Sequence, residues 1–232
     1  MESNTHGAKI QKDGRTYAIQ TYIPAGIVRP EDLEQIAHIA KKYKIPTIKI
    51  TSGQRVLLIG VEEKDIGMIR EELGQLGGGM FLPGVRIVQS CPGNAHCKNG
   101  TQDSLSLASA LSNRYTEIKL PAKLKIGISG CPRCCGQSKV RDIGIVGSNN
   151  GWTVFFGGNS GYRCREGDTV VSGIQTGRTM ELVDRLMTWY QSEAKEKERT
   201  ARFMERVESD EALKNEFSRI RGEFEIPRCG TT

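Results

Sequence analysis

No stretch of the 232 residues strings together the ~18 apolar residues that a membrane-crossing helix requires. The opening residues, MESNTHGAKIQKDGRTY, lack an apolar segment, so no secretory signal is expected and the expected location is the cytoplasm. Internal repeats and low-complexity linkers are absent. So is any G-x-G-x-x-G or flavin motif, which argues against a built-in nucleotide site. There is also no basic face interleaved with aromatics, the pattern that holds nucleic acid, and the net charge is a modest +6. With 37% hydrophobic and 26% charged residues the composition is ordinary for a globular protein, and the length suits one large or two small packed domains.

What the chain does have is cysteine. There are seven, and five of them fall between Cys91 and Cys135. A disulfide framework is not expected in a cytoplasmic chain able to bury a real core, and clustered cysteines there read first as metal ligands. Cys91 and Cys97 form a C-x5-C pair, and Cys131 and Cys135 a C-x3-C pair. Each pair follows a strand-like run, in a loop containing Pro and Gly. Loops at strand ends can bring four thiolates around a cubane iron–sulfur cluster while backbone N–H groups point at the sulfides. Gly93, Gly130 and Gly136 would let the backbone approach closely. A structural zinc site fits the second pair but not the long gap of the first. Unliganded buried cysteines are a third reading, and spacing alone allows Cys134 in place of Cys135. Cys164 and Cys229 stand singly and read as free thiols. His96 reads as a neighbour of the ligands or a surface residue.

The first 80 residues read as a small α/β unit. Residues 17–23 alternate as a strand and Pro24-Ala-Gly26 ends it. Pro30, Glu31 and Asp32 open a helix that carries Leu33, Ile36, Ala37 and Ala40 on one face and stops before Pro46. Residues 47–51 and 56–61 form two strands, and a second helix carries Ile66, Ile69, Leu73 and Leu76 before Gly77-Gly78-Gly79. The middle, residues 81–175, holds strands over 85–88 and 123–129, a helix over about 102–113 and a hairpin over 142–157. The remainder, 176–232, reads as one long amphipathic helix over about 178–207. In it, residues 193–199 form a solvated run of i,i+4 ion pairs. The fold class expected is α+β: a ferredoxin-like half-domain over 1–80, an α/β cluster-binding domain over 81–175, and a C-terminal helical segment packing on it.

The combination of C-x5-C with Gly130-Cys-Pro-x-x-Cys135 resembles the sulfite and nitrite reductases that couple siroheme to a 4Fe–4S cluster. Thr51-Ser-Gly-Gln54, with its flanking strands, resembles their ferredoxin-like half. Asp142-Ile-Gly-Ile-Val-Gly147 with Phe155-Phe-Gly-Gly158 resembles the hairpin after the last cysteine. Glu198-Arg199 and Phe203-Met-Glu-Arg206 resemble the closing helix. The resemblance runs over about residues 17–217. The larger enzymes hold two copies of this unit and this chain holds one, as in the small, single-repeat, assimilatory type of sulfite reductase.

The resemblance implies reduction of sulfite to sulfide, or of nitrite to ammonia. An electron-transfer subunit that holds a cluster without siroheme catalysis is the alternative. It implies that Cys91, Cys97, Cys131 and Cys135 hold the cluster and that Cys135 bridges to siroheme iron. The carboxylates of siroheme call for a basic pocket, for which Lys49, Arg55, Arg133, Lys139 and Arg141, with the polar Asn94, are the candidates. In Pro121-Ala-Lys123-Leu-Lys125 the strand alternation puts both ammonium groups on one face, matching a family segment whose lysines contact the anion. Arg86 is a further candidate for the anion. A solvated strand face is the bland reading of these lysines. The family's arginine near the early Pro-Gly turn has no counterpart here, and Tyr22 stands in that place. Without a nucleotide motif, electrons are expected from an external donor, a ferredoxin or a flavoprotein subunit. A homodimer is expected to complete the sites that two-copy relatives build internally.

Overall fold

The computed structural model describes residues 7–77, 84–115 and 118–225. Cys229 and the Gly78-Gly79 end of the second helix signal lie outside them. The chain divides into two compact units, Met1–Leu82 and Pro83–Thr232.

The first unit is a four-stranded antiparallel sheet with two helices. Its strands are β1 (Lys9–Ile10), β2 (Tyr17–Gln20), β3 (Thr47–Ile50) and β4 (Val56–Val61), in the order β1-β2-β4-β3. Helix α1 (Pro30–Lys42) starts where the sequence signals it. Pro30 takes the first turn, and the Asp32 carboxylate reaches back to accept from the Arg29 backbone N–H at 2.9 Å and from its guanidinium. Helix α2 (Ile66–Leu73) buries Ile66, Ile69 and Leu73 against Ile19, Leu58, Ile36 and Ile39. Two expected core positions turn outward, since Leu33 is exposed and Ala37 lies on the solvent side of α1. Strand β3 is a bare sheet edge, all four of its residues exposed, and Lys49 is on it.

The second unit is built on a five-stranded sheet in simple sequential order. Strands β5 (Val85–Ser90), β6 (Leu124–Ser129) and β7 (Ile143–Ser148) are parallel, and β8 (Gly151–Phe156) and β9 (Asp168–Ile174) continue the sheet antiparallel. Between β5 and β6 lie the single turn α3 (Gly93–His96) and helix α4 (Ser104–Arg114), which Asp103 caps through the Ser106 N–H. This β-α-β crossover is why the two cysteine loops meet. Parallel neighbours present their C-terminal ends on the same sheet edge, and Cys91 and Cys131 follow directly on those ends. Strand β9 was not among the expected elements.

The C-terminal reading needs correction. In place of one helix there are three, α5 (Thr176–Glu193), α6 (Thr200–Ser209) and α7 (Glu211–Phe224). The expected solvated ion-pair run at 193–199 is a break pinned to the rest of the unit. Lys197 turns through a positive φ of 64° and its N–H reaches the Pro121 carbonyl at 2.9 Å. Arg199 grips the buried Asp142 with Nη2 at 2.7 and 2.8 Å, and Thr200 Oγ1 adds a bond at 2.6 Å. A continuous helix could not bring both neighbours onto one carboxylate, and a carboxylate buried this deeply requires a charged partner. Asp210 accepts from the Ala212 and Leu213 N–H groups and restarts the chain as α7. Against the sheet these helices bury Leu182, Val183, Leu186 and an aromatic group. In it Trp189 lies 4.7 Å from Phe203 and 5.6 Å from Phe217 between ring centres.

Replacing Asp142 by alanine strands Arg199, whose side chain is only about a quarter exposed (27%). Removing one partner of such a pair costs about 3 kcal/mol. Urea unfolding followed by tryptophan fluorescence reads this unit selectively, because both tryptophans, Trp152 and Trp189, lie in it. The expected result is a lower midpoint with unchanged slope; an unchanged midpoint contradicts the role given to Asp142.

Candidate functional site

The two cysteine loops are laced together through their backbones. The Thr101 and Gln102 N–H groups both donate to the Gly130 carbonyl, at 2.8 and 3.0 Å, and the Asn94 N–H donates to the Gln102 carbonyl at 3.0 Å. In return the Gly130 N–H points at Cys91 Sγ, 3.1 Å away. So close a crossing needs glycine. A Cβ on Gly130 would stand 2.7 Å from the Gln102 carbonyl oxygen and 2.8 Å from the Gly93 Cα, and one on Gly93 would stand 2.5 Å from Ser104 Oγ. The approach that these glycines permit is of one loop to the other.

Cys91 is the most developed ligand position. Burial works against its thiolate, but hydrogen bonds from Ser104 and from the Gly130 and Gly93 N–H groups outweigh that, and the thiol is held below its ordinary pKa. N–H groups aimed at sulfur are what a cluster ligand needs. Cys131 is buried, Cys97 partly buried and Cys135 exposed. The turn between Cys131 and Cys135 closes through the Cys134 N–H on the Cys131 carbonyl at 3.2 Å, and Cys134 sits at its corner with φ 57°. Among the described residues no three His, Cys, Asp or Glu side chains converge on a single ion. A cubane asks for something else: each thiolate takes its own iron, so the four sulfurs surround a cluster and need not meet at a point.

Lys123, the residue before β6, is exposed, and Lys125, the second residue of the strand, is half-buried; between them Leu124 is fully buried. Burial, followed by the positive charges of Arg141 and Arg199, pushes the Lys125 ammonium below its usual pKa despite Asp142 nearby. Arg86 on β5 is half-buried and likewise lowered by burial. Asn94 and Arg133 are exposed in the first and second cysteine loops. Lys139 is engaged by Glu166 at 2.9 Å and lies over the Phe155 ring. Arg141, the last of the basic candidates in this unit, is buried. It is 5% exposed, and its guanidinium is held by Gln89, Gln137 and Ser160.

In the first unit Arg55 is buried as well, donating to the Thr21 carbonyl at 3.3 Å and stacking 5.0 Å from the Tyr22 ring centre. That unit also carries a cavity of about 150 Å³ lined by Lys9, Gln11, Gln20, Thr51 and Leu57. Sequence reasoning passed over Ser104, Gln89 and Asp142. Gln89 carried a usable signal, an amide between Val88 and Ser90 two residues before a candidate ligand; Ser104 carried none, and Asp142 stood out only as the first residue of the hairpin segment.

Residues 82–219 match the family model described as the nitrite and sulphite reductase 4Fe-4S domain, and residues 9–76 match the nitrite/sulfite reductase ferredoxin-like half domain. The chain is 40% identical over 207 residues to an assimilatory-type sulfite reductase of Nitratidesulfovibrio vulgaris, covering 89% of this chain and 95% of that protein. It is 37% identical over 200 residues to an NAD(P)H nitrite reductase of Bacillus subtilis, covering 86% of this chain but 25% of that larger protein. The fold is shared with the crystal structure of dissimilatory sulfite reductase I at a TM-score of 0.76 and 14% identity, over 94% of this chain and 71% of that one. It is shared with the NirA protein of Mycobacterium tuberculosis at a TM-score of 0.72 and 17% identity, over 88% and 40%.

Proposed function

Since the chain belongs to the nitrite and sulphite reductase family, whose members are oxidoreductases that use siroheme and a 4Fe–4S cluster, we propose that its substrate is sulfite, reduced by six electrons to sulfide. In this reading Cys91, Cys97, Cys131 and Cys135 would hold the cluster, and Cys135, the exposed one of the four, would be the thiolate nearest the siroheme. Bound together, the two groups supply the electrons and the metal at which the anion is reduced. The observation that carries the reading is the lacing of the two cysteine loops at the ends of adjacent parallel strands, with the Gly130 N–H on Cys91 Sγ.

The protein's own work is charge and protons. Sulfite brings negative charge, and its three oxygens must leave as water. In this reading Lys123 and Lys125 bind the anion, and Lys125, whose pKa is lowered by burial, gives up its proton more readily than an ordinary lysine. An electron carrier needs no such pair, which counts against a non-catalytic subunit. The match over 95% of a sulfite reductase, against a quarter of a nitrite reductase, favours sulfite over nitrite. A separate ferredoxin or flavoprotein delivers the electrons, a homodimer completes the sites, and the cytoplasm is the setting. No helix of the described residues is long and apolar enough to cross a membrane.

Turnover of sulfite and nitrite with a chemical reductant tests the substrate. The expected kcat/KM is at least about tenfold higher for sulfite, the scale on which a shaped pocket separates two small ligands. Preference for nitrite, or no reduction of either by cofactor-loaded protein, defeats the proposal.

A further inference from the structure

A buried cation lies between the two cysteine loops without a carboxylate of its own. Arg141 Nη2 donates to Gln89 Oε1 at 2.7 Å and to Gln137 Oε1, while Nη1 donates to Ser160 Oγ at 3.0 Å. All three partners are neutral. No carboxylate forms a salt bridge with Arg141 among the described residues, and its Nε is buried with no hydrogen-bond partner. The adjacent Asp142 is already committed to Arg199, Thr200 and the Lys125 N–H. Burial works against the Arg141 guanidinium, the charge of the neighbouring Asp142 favours it in part, and Lys125 nearby is positive as well.

The site is built for this side chain. It crosses β6 at Gly127, where a Cβ would stand 2.7 Å from Arg141 Cγ. The amides it holds flank both cysteine motifs. Gln89 lies two residues before Cys91 and also donates through Nε2 to the Gly136 carbonyl at 2.8 Å, next to Cys135; Gln137 lies two residues after Cys135. Burying a guanidinium with only amide and hydroxyl partners is costly, and a negatively charged group bound nearby would offset that cost.

We propose that Arg141 is a positioning residue that sets the reduction potential of the cluster: its uncompensated buried charge, held one side chain away from both cysteine loops by Gln89 and Gln137, stabilises the reduced, more negative form. This rests on the cluster assignment above. Removing the charge makes the cluster harder to reduce. Net charge and hydrogen bonding near the sulfurs are the established levers on such potentials, and a tenfold change in the reduction equilibrium is the scale for one buried charge at this remove.

The test is a redox titration of anaerobically purified holoprotein, followed by the electron paramagnetic resonance of the reduced cluster. Arg141→Met is expected to lower the midpoint by about 59 mV or more, the one-electron equivalent of tenfold. Arg141→Lys, which keeps the charge and loses the fork, is expected to stay within a third of that shift. An unchanged Arg141→Met midpoint, or equal shifts in both variants, overturns the proposal. Where Arg141→Met fails to load, Gln89→Glu decides, because it sets a carboxylate against the guanidinium in place. A comparable fall supports the proposal and an unchanged midpoint overturns it. Wild-type protein with iron but no reducible cluster sinks the cluster assignment itself, and is told apart by iron and sulfide content measured on the same sample.

Discussion

Cys135→Ser protein is expected to lose its cluster, with iron and acid-labile sulfide falling from about four of each per chain to background. The same result is expected at Cys91, Cys97 and Cys131. Cys91 carries the strongest structural argument, since its sulfur already receives the Gly130 N–H and lies against the Ser104 hydroxyl, and an oxygen there is a poorer ligand for iron. The informative contrast is Cys134, the neighbour that spacing alone could not separate from Cys135. It occupies the corner of the turn at φ 57°, a conformation that glycine adopts freely. Cys134→Gly should therefore keep iron and sulfide at wild-type levels and unfold no more easily. Cluster loss in Cys134→Gly with retention in Cys135→Ser would exchange the two assignments.

Lys123→Ala or Lys125→Ala is expected to leave cluster and siroheme content intact while lowering sulfite turnover at least about 100-fold, the range for losing a proton donor or a charge that stabilises the reacting anion. Lys125 should show the larger effect, since it is half-buried beside Arg141 and Arg199 where electrostatics is least screened, whereas Lys123 is exposed. Kinetics unchanged in both variants would make the pair a solvated strand face. If a homodimer shares its sites, hybrids of inactive Cys135→Ser protomers with inactive Lys123→Ala/Lys125→Ala protomers should regain activity. Verified hybrids that stay inactive would place each site within one protomer.

Much of this was legible because local chemistry marked it. Pro30 followed by two acidic residues predicted the start of α1 within the residue, and the two cysteine motifs, each after an apolar run, foretold loops at strand ends. The chemistry of siroheme draws attention to basic residues but cannot sort them. Arg141 and Lys139 sit in similar loop sequence, yet one is buried under amides and the other pairs with Glu166 at the surface. The long-helix reading failed for the same reason. The apolar period continues from α5 into α6, and only Asp142, 57 residues away from Arg199, reveals that the chain must break to bring Arg199 and Thr200 onto it. Contacts between distant residues leave no periodic trace. Strand β9 was hidden because its register with β8 shifts twice and the exposed loop before it carries no strand pattern.

The most direct measurement is an absorption spectrum of protein purified without air, taken with iron and sulfide analysis on the same sample. The account predicts the red-region band of siroheme together with about four cluster irons and four sulfides per chain. Stoichiometric zinc with neither chromophore would contradict it.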